Sequence, residues 1–340
     1  MNTQVNKRYA KQILFRPISK KGQTAIAASK VTIIGLGALG TVSSNQLCRA
    51  GVGHLKLVDR DFVEYSNLQR QILFDEKDAS KVLPKAIAAA EKLSAANSEI
   101  VIEPLVADLS PGNAEKIIAE SSLVVDGTDN LETRLLINDV CVKNNIPWIY
   151  GAVLGSVGMT MSIVPDNTPC LRCHIEHLPT PGSIPSCDTE GVLSMATGTV
   201  ASIQSAEALR LLVGLEPTQG MLYIDIWDRD FETIHVEKRK ECPTCGKKVF
   251  DFLNGESYSW TTVLCGRNAV QIMPPAEKKI DLKRLSERLE AIGKIAYNGY
   301  LLTLQVENKE IVLFPNGRAI IHGTDNEAEA RTIFARYIGI

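Results

Sequence analysis

A glycine-rich loop at residues 35–40 constrains the fold of this chain more than any other feature of its sequence. The loop reads Gly35-x-Gly37-x-x-Gly40, follows a short apolar strand and opens a predicted helix; Asp59 lies 19 residues after Gly40. Glycines let a backbone approach a phosphate at a helix N-terminus, and a carboxylate at that distance can accept hydrogen bonds from ribose hydroxyls. The pattern predicts a nucleotide site. It does not separate NAD from ATP, and glycines here also permit tight strand-to-helix packing.

Predicted strands and helices alternate over residues 30–150, which indicates the α/β class with a mainly parallel, Rossmann-like doubly wound sheet. The predicted strands are 31–35, 54–59, 100–106, 122–126 and 147–150, and the helices are 38–50, 81–93, 114–120 and 131–144. Segments 158–164, 221–227 and 232–237 alternate apolar and polar residues and predict an antiparallel extension, with an amphipathic helix at 199–213. Residues 165–198 have little regular pattern, which is typical of a functional loop.

The composition of the sequence changes after Cys245, where a stretch that contains glycine and asparagine predicts a linker. We therefore expect two domains, a nucleotide-binding domain at residues 1–248 and a small C-terminal α+β module at residues 259–340. The module is predicted to contain strands at 269–273, 301–306, 311–314 and 318–321 and helices at 281–292 and 326–337. Asn316-Gly317 predicts a hairpin between the last two strands.

Composition excludes several classes of function. Apolar residues make up 45% of the 340 residues and charged residues 22%, which is typical of a globular protein and not of a disordered chain. A net charge of −2 provides no basic field for a nucleic-acid backbone. The longest apolar helical stretch, near residues 209–215, is far shorter than the roughly 20 residues of a membrane span, and the polar start has no signal-peptide core. We expect a cytoplasmic protein with no nucleic-acid or membrane partner.

Polar segments after the glycine loop favour ATP over NAD. Ser66-Asn-Leu-Gln-Arg-Gln71 places amides and a guanidinium just past Asp59, and Lys85 follows 15 residues after Arg70. Substitution at phosphorus in a triphosphate builds charge on the departing pyrophosphate, which Arg and Lys can stabilise. Asp129 follows a later parallel strand, where open sheets bind ligands, and offers an oxygen ligand for Mg²⁺. Each residue also has an ordinary role: a solvated cation, or for Asp129 the N-cap of the next helix.

Two Cys-x-x-Cys pairs predict a structural zinc site. Cys170 with Cys173 and Cys242 with Cys245 supply four thiolates, the ligand set of a closed tetrahedral Zn²⁺ centre. The pairs lie 68 residues apart, so the metal would join two distant segments. Disulfides and unligated thiols are the alternatives, and a cytosolic setting disfavours the disulfides. Cys48 and Cys141 fall in predicted helices and are expected to be buried, and nothing marks Cys265 as reactive.

Taken together, these motifs resemble the ThiF/MoeB/HesA family of adenylyltransferases, relatives of the ubiquitin-activating enzymes. The residues that carry the resemblance keep the family's order and spacing: Arg8-Tyr9-x-x-Gln12, the glycine loop, Ser66 to Gln71, Lys85 and Thr128-Asp129-Asn130. The resemblance covers residues 7 to about 246. Within the family, the chain looks most like the longer, Bacillus-type ThiF members, which carry an additional C-terminal module.

The resemblance implies ATP-dependent adenylation of the C-terminal glycine of a ubiquitin-like sulfur carrier, ThiS in thiamin thiazole biosynthesis, with Mg²⁺ on Asp129 and release of pyrophosphate. It implies that Arg70, Lys85 and Asp129 are catalytic and that Asp59 binds the ribose. It also implies a homodimer, a separate sulfur donor of the cysteine desulfurase or rhodanese type, and the four-cysteine zinc site. The full set of residues implied to hold ATP is Gly35, Gly37, Ala38, Gly40, Asp59, Asp61, Asn67, Arg70, Gln71, Lys85, Asp129 and Asn130.

Two further catalytic assignments are less direct. In the family pattern Arg-Tyr-x-Arg-Gln, the second Arg reaches the ATP site of the partner subunit, but this chain has Lys11 there. Lysine keeps the charge and loses the bidentate fork, so we expect retained function with weaker phosphate geometry, and Arg8 could partly substitute. Cys187 aligns with a family cysteine that can form an acyl-disulfide with the carrier. MoeB-type relatives can do without this cysteine, and neighbouring acids would raise its pKa, so its covalent role stays open.

Three alternatives to this function remain at this stage. The carrier could be of the MoaD type, for molybdenum cofactor biosynthesis, because such carriers also end in Gly-Gly. A NAD-dependent oxidoreductase would explain the glycine loop and Asp59, but not Arg70, Lys85 or the paired cysteines. A nucleotide-gated scaffold without turnover would account for the departure at Lys11, and retention of Asp129 speaks against it.

Overall fold

The computed structural model describes residues 7–178, 190–255, 261–264, 268–273, 280–290, 292–306 and 308–338. The chain divides into two compact units, residues 1–257 and residues 258–340. Each unit has its own hydrophobic core among the described residues.

The first unit is built on one sheet of eight strands. These are β1 (Lys30–Ile34), β2 (His54–Asp59), β3 (Val101–Val106), β4 (Leu123–Asp126), β5 (Trp148–Leu154), β6 (Val157–Ile163), β7 (Met221–Asp225) and β8 (Asp230–Ile234). Their order across the sheet is β3-β2-β1-β4-β5-β6-β7-β8. Strands β1 to β5 pair in parallel, and β5 to β8 pair antiparallel. The predicted Rossmann-like sheet with an antiparallel extension is confirmed.

Helices cover both faces of this sheet. They are α1 (Ala10–Leu14), α2 (Ser19–Ala28), α3 (Ala38–Ala50), α4 (Glu76–Ser80), α5 (Lys85–Ala96), α6 (Ala114–Ile118), α7 (Leu131–Lys143), α8 (Leu171–His174) and α9 (Ser194–Leu212). Successive strand residues point to opposite faces, so Ile33 packs in the core with α2, α3, α5 and α9, whereas Ile34 packs in the core with α6 and α7. Strands buried on both faces explain why these segments are continuously apolar.

Several features of the first unit differ from the prediction: the short helices α1, α4 and α8 were not predicted, and three further differences have a physical cause in the fold. Helix α5 begins at Lys85 instead of residue 81, because Val82 has a left-handed backbone (φ 49°) that no helix can include. Helix α2 was not predicted, since Gly22 interrupts its apolar pattern; a Cβ at Gly22 would lie 2.9 Å from Val213 Cγ1. Helix α9 begins at Ser194, five residues before the prediction, so packing outweighs the low helix propensity of Gly198.

The second unit contains a six-stranded antiparallel sheet. Its strands are β9 (Thr261–Leu264), β10 (Ala269–Ile272), β11 (Lys294–Tyr297), β12 (Leu302–Val306), β13 (Lys309–Leu313) and β14 (Ala319–His322), in the order β11-β12-β13-β14-β10-β9. Helices α10 (Leu282–Leu289) and α11 (Glu327–Tyr337) pack on one face of it. The predicted hairpin at Asn316-Gly317 joins β13 to β14. Edge strands β9 and β11 were not predicted; the residues of β11 are mostly exposed and show no apolar alternation.

Because β1, β2 and β4 are parallel neighbours, their carboxyl ends meet at one edge of the sheet. The segments that follow those three ends carry the glycine loop, Asp59 and Asp129. We call this edge the nucleotide edge.

Candidate active site and metal centre

The glycine loop is shaped by contacts between backbones. Gly35 has a left-handed backbone (φ 87°), and a Cβ there would lie 2.6 Å from the carbonyl oxygen of Gly127. A Cβ at Gly40 would lie only 1.9 Å from the carbonyl oxygen of Gly35. At Gly37, the N-cap of α3, the nearest neighbouring atom to such a Cβ is 3.7 Å away. Gly35 and Gly40 are therefore required for folding, whereas Gly37 leaves the helix N-terminus accessible to a ligand.

Asp59 connects the end of β2 to the glycine loop. One carboxylate oxygen accepts a hydrogen bond from the Leu36 amide at 2.6 Å, and the other accepts one from the Asp61 amide at 2.7 Å. Burial raises the pKa of Asp59, and the charge of Lys85 opposes that rise. Because each carboxylate oxygen has a second lone pair, Asp59 can hold the loop and still accept a hydrogen bond from a ligand hydroxyl.

Lys85 brings a buried positive charge to the nucleotide edge. Its side chain is 4% exposed, and its Nζ lies 3.8 Å from Asp61 Oδ2. The backbone amide of Lys85 donates to the carbonyl oxygen of Asp61 at 2.9 Å, which fixes the first residue of α5 beside the end of β2. A buried ammonium in this position can neutralise an anionic ligand.

The segment from Ser66 to Gln71 contains two buried amide oxygens that no described protein group binds. Asn67 is 2% exposed and Gln71 is 3% exposed, yet Asn67 Oδ1 and Gln71 Oε1 have no hydrogen-bond partner among the described residues. Arg70 Nη1 donates to the carbonyl oxygen of Ser66 at 2.9 Å, which leaves its other donors for a ligand. Unpaired buried amides are costly, so this segment is suited to a polar ligand that the protein binds.

Residues 127–130 form the loop that leads from β4 into α7. Asn130 is the N-cap of α7, because its Oδ1 accepts from the Thr133 amide at 2.8 Å. The alternative in which Asp129 caps this helix is therefore wrong. Asp129 is exposed, and Asn130, which the resemblance assigns to ATP, has one side-chain oxygen already engaged by the helix.

Sequence analysis missed Arg60. Its Nη1 lies 3.1 and 3.3 Å from the two carboxylate oxygens of Asp108, which follows β3. Burial by itself would lower the pKa of Arg60, but the charges of Asp108, Asp61 and Asp129 raise it above its ordinary value. The position directly after Asp59, at a strand end, was the one signal in the sequence.

The four predicted zinc ligands form one cluster. Their sulfur atoms lie within 4.8 Å of one another, with Cys170 Sγ 3.6 Å from Cys242 Sγ and Cys173 Sγ 3.4 Å from Cys245 Sγ. Four sulfurs at about 2.3 Å from a Zn²⁺ ion would be about 3.8 Å apart, so the cluster fits a closed tetrahedral centre. His174 and His177 are not part of it.

Hydrogen bonds hold the two zinc-ligand segments on α7. Asn138 Oδ1 accepts from the Leu171 amide at 2.9 Å, at the first pair of cysteines. Asp139 Oδ1 accepts from Thr244 Oγ1 at 3.1 Å, and its Oδ2 accepts from the Phe252 amide at 3.0 Å. We call Asp139 and these partners the α7 clamp. The cluster is thus bound to the wall of the main core.

The remaining predicted residues fall into three groups. Cys48 and Cys141 are fully buried, as expected, and burial raises the pKa of Cys48 to about 11. Cys187 and Cys265 lie outside the described residues. Lys11 is exposed on α1, where Gln12 Nε2 donates to the carbonyl oxygen of Ala50 at 2.8 Å.

Helix α1 lies far from the nucleotide edge of its own chain. Ala50 ends the 13-residue helix α3, about 20 Å from the glycine loop at its other end. Arg8, the possible substitute for Lys11, already has local partners: it donates to the carbonyl oxygen of Ala96 at 3.1 Å and pairs with Glu99 at 3.5 Å.

This geometry defines a class of protein. A glycine loop at a helix N-terminus, a buried carboxylate and buried cations at the carboxyl ends of parallel strands make the first unit a nucleotide-binding α/β domain. The four-cysteine cluster on the same unit adds a candidate structural metal centre. None of the described helices is both long enough and apolar enough to cross a membrane.

Comparison with known proteins gives the family. The ThiF family model matches residues 9–244, and the chain belongs to that family. It is similar to "Sulfur carrier protein ThiS adenylyltransferase" of Bacillus subtilis, with 44% identity over 98% of this chain and 99% of the relative. It is also similar to "SAMP-activating enzyme E1" of Haloferax volcanii, with 38% identity over 74% of this chain and 93% of the relative.

The E. coli "Sulfur carrier protein ThiS adenylyltransferase" is 36% identical over 72% of this chain and 97% of that relative. Among solved structures, E. coli MccB with ATP has a TM-score of 0.63 at 22% identity, covering 70% of this chain and 74% of that one. That likeness concerns the fold alone. The family resemblance and the fold class predicted from the sequence are both confirmed.

Proposed function

We propose that this protein uses ATP to adenylate the C-terminal carboxylate of a ubiquitin-like sulfur-carrier protein, ThiS in thiamin thiazole biosynthesis. The observation that carries this proposal is the 44% identity with the Bacillus subtilis ThiS adenylyltransferase over 98% of the chain, including the second unit. The nucleotide edge supports it independently, because the cations of Lys85 and Arg70 suit a triphosphate, and the unpaired amide oxygens suit the hydrogen-bond donors of a nucleotide. A NAD-dependent oxidoreductase leaves those groups without a role.

The site residues are assigned to parts of ATP by their positions on the nucleotide edge. The N-terminus of α3 at Gly37 and Ala38 receives the phosphates, and Asp59 accepts from the ribose. Lys85 and Arg70 neutralise phosphate charge, and the unpaired amide oxygens of Asn67 and Gln71 accept from hydroxyl or amino donors of the same ligand. Asp61 holds Lys85 in place at 3.8 Å, and Asn130 completes the site through its remaining donors while it caps α7.

Asp129 is the proposed ligand for Mg²⁺. It is exposed at the nucleotide edge, and a carboxylate beside substrate phosphates is the usual protein contribution to a magnesium site. Bound Mg²⁺ would stabilise negative charge on the phosphates. The charge of Asp129 is also felt by Arg60 and Arg134, so the carboxylate lies near two cations of the protein.

The adenylation step needs positioning more than covalent chemistry. A carboxylate oxygen of the carrier attacks the α-phosphorus, the bond from that phosphorus to the bridging oxygen breaks, and pyrophosphate leaves with the electron pair. Lys85 and Arg70 stabilise the charge that develops on the phosphates. No nucleophile of the enzyme is required for this step.

A homodimer would complete the site with Lys11. Because α1 lies about 20 Å from the glycine loop of its own chain, Lys11 can act only on the ATP of a partner subunit. Cys187 is proposed for the later sulfur-transfer stage, as an acyl-disulfide partner of the carrier, and a separate protein would supply the sulfur. The zinc centre has a structural role in this scheme.

The domain assignment of residues 1–248 and 259–340 is supported by the division into compact units at residue 257. We place the whole nucleotide site in the first domain. The ThiS adenylyltransferase of E. coli supports this placement, since similarity to it covers 72% of this chain and 97% of that protein.

Carrier-dependent exchange of labelled pyrophosphate into ATP tests the proposal. Purified zinc-loaded enzyme is assayed with ThiS and, in parallel, with a MoaD-type carrier, both ending in Gly-Gly. Exchange with ThiS alone supports the thiazole pathway, and exchange with MoaD alone would replace ThiS by the molybdenum-cofactor carrier. Absence of exchange with both, from enzyme that still binds ATP, would overturn adenylation of these carriers. Asp129→Ala should reduce exchange to a small residual rate, whereas a nucleotide-gated scaffold would need no turnover.

A further inference from the structure

A buried ion pair lies directly behind the loop that carries Asp129. Asp126, the last residue of β4, is fully buried, and its Oδ2 lies 3.2 Å from Arg134 Nε on the first turn of α7. Arg134 Nη2 also donates to the carbonyl oxygen of Thr128 at 2.7 Å. The Arg134 guanidinium therefore connects the strand that enters the loop to the loop itself.

Asp126 holds the same loop from its other side. Its Oδ1 accepts from both the amide and the hydroxyl of Thr128, at 2.9 and 2.7 Å. Residue Thr128 is thus bound through its amide, its hydroxyl and its carbonyl oxygen by one ion pair. Asp129 is the next residue, so the direction of its backbone is set by these contacts.

Neighbouring elements restrict the movement of the Asp126–Arg134 ion pair and of the loop that it holds. Gln204 on α9 donates from Nε2 to the carbonyl oxygen of Asp126 at 2.9 Å and to that of Ile149 at 3.3 Å. The Arg134 guanidinium lies 5.5 Å from the centre of the Tyr150 ring. On the opposite side, a Cβ at Gly127 would lie 2.4 Å from the carbonyl oxygen of Gly35, so the loop packs on the glycine loop.

We propose that Arg134, fixed by Asp126, is a positioning residue that holds the Gly127–Asp129 loop so that the Asp129 carboxylate faces the reacting phosphates. This inference rests on the proposed adenylation and deepens it. Asp126 and Arg134 do not need to contact ATP. A rigid loop carries the effect because an error of about 1 Å at a reacting group costs on the order of a hundredfold in rate.

Pyrophosphate exchange by the wild-type enzyme is measured first. Its absence would contradict the proposed function, and the role of the ion pair would then need a readout other than activity. For that case, Mg²⁺-dependent binding of ATP is measured by calorimetry as a second readout. If Arg134 positions Asp129, Arg134→Gln and Asp129→Ala should weaken the Mg²⁺ dependence of ATP binding alike.

The decisive experiment is a double-mutant cycle of Arg134→Gln and Asp129→Ala. We expect Arg134→Gln to lower kcat by about 10- to 100-fold and to raise KM for ATP by a smaller factor. Arg134→Lys should recover part of the loss, because it keeps the charge. The double variant should be no slower than Asp129→Ala, since Arg134 acts through that residue.

Lys143→Gln is the matched control, because Lys143 lies on the same helix and pairs with Glu115 at 3.0 Å on the surface. It should leave kcat unchanged. Losses that multiply in the double variant, or that follow the melting temperature across all the variants, would overturn the proposal, as would an Arg134→Gln enzyme with normal kcat.

Discussion

At the scale of single residues, the glycine loop separates two roles that its sequence pattern combines. Gly35 and Gly40 face backbone carbonyls, so their hydrogen side chains are required by packing. Gly37 has open space and stands at the N-terminus of α3. The same residue type thus serves the fold at two positions and the ligand at a third.

Alanine substitutions should distinguish these roles. Gly40→Ala places a Cβ 1.9 Å from the Gly35 carbonyl oxygen, so it should lower the melting temperature and abolish ATP binding. Gly37→Ala should leave the melting temperature unchanged and weaken ATP binding by roughly tenfold or more, because the added methyl occupies phosphate space. Differential scanning calorimetry and titration with ATP measure the two effects. Equal loss of stability in both variants would contradict the distinction.

Residues whose type carries chemistry are the ones that the fold places together. The glycine loop, Asp59 and Lys85 lie at the nucleotide edge, and the four cysteines form a separate cluster. Arg60 and Arg134 were missed because a lone arginine in a sequence does not show that it is buried against carboxylates. Only the fold brings Asp108, 48 residues away, to Arg60.

At the scale of elements, α7 organises both candidate sites. Its N-terminal end is capped by Asn130 and carries Arg134 toward the nucleotide edge. Its middle turn carries Asn138 and Asp139 to the segments around the zinc ligands. Displacement of this one helix would therefore affect nucleotide binding and the metal centre together.

The α7 clamp gives a pH dependence at this scale. Burial raises the pKa of Asp139 from 3.8 to about 6. The hydrogen bonds from Thr244, Phe252 and Leu253 lower this pKa, but by less than burial raises it. Because the folded protein holds this proton more tightly than the unfolded chain, the carboxyl contributes stability that is complete below about pH 4 and is lost as the pH rises to about 6. The change amounts to about 3 kcal/mol.

Urea unfolding of the wild type and Asp139→Asn measures this contribution. The free energy of unfolding of the wild type minus that of the variant should fall as the pH rises from about 4 to about 6. It should stay constant at higher pH. Protonation of the cysteines would release a bound metal from both proteins, so the difference removes that effect. A difference that does not vary with pH would show that Asp139 has an ordinary pKa.

The boundaries of elements depended on contacts that a local pattern does not contain. Helix α3 was predicted at its observed limits because its sequence and its packing agree. Helix α2 and strand β11 were missed. In α2, the close approach of Val213 leaves no room for a side chain at position 22. Strand β11 lies at the edge of its sheet and has an exposed surface. In both cases the determining partner lies elsewhere in the chain.

At the scale of the whole molecule, the four-cysteine cluster joins parts of the first unit that are distant in sequence. The ligands run from residue 170 to residue 245, and their segments cover the core that α7 lines. The second unit has a separate core of its own. Metal loss should therefore destabilise the first unit and spare the second.

We expect one Zn²⁺ per chain, and we expect its removal by a chelator to lower the melting temperature of the first unit's transition while the second unit's transition stays in place. Cys242→Ser should have the same effect without chelator. Metal analysis and calorimetry check both expectations. Cys48→Ala, a cysteine buried away from the cluster, serves as control and should keep full zinc content; a Cys242→Ser protein with full zinc would contradict the assignment.

Gln204 also determines how much of the chain must be synthesised before the nucleotide edge has all its supporting contacts. The segments of the nucleotide edge described above, from the glycine loop to Arg134, leave the ribosome early, but the carbonyl oxygen of Asp126 obtains its partner from a helix 78 residues later. Domains made on the ribosome fold as units. A nascent chain that stops before α9 would therefore contain every proposed nucleotide contact of the first unit and still lack the support that fixes them.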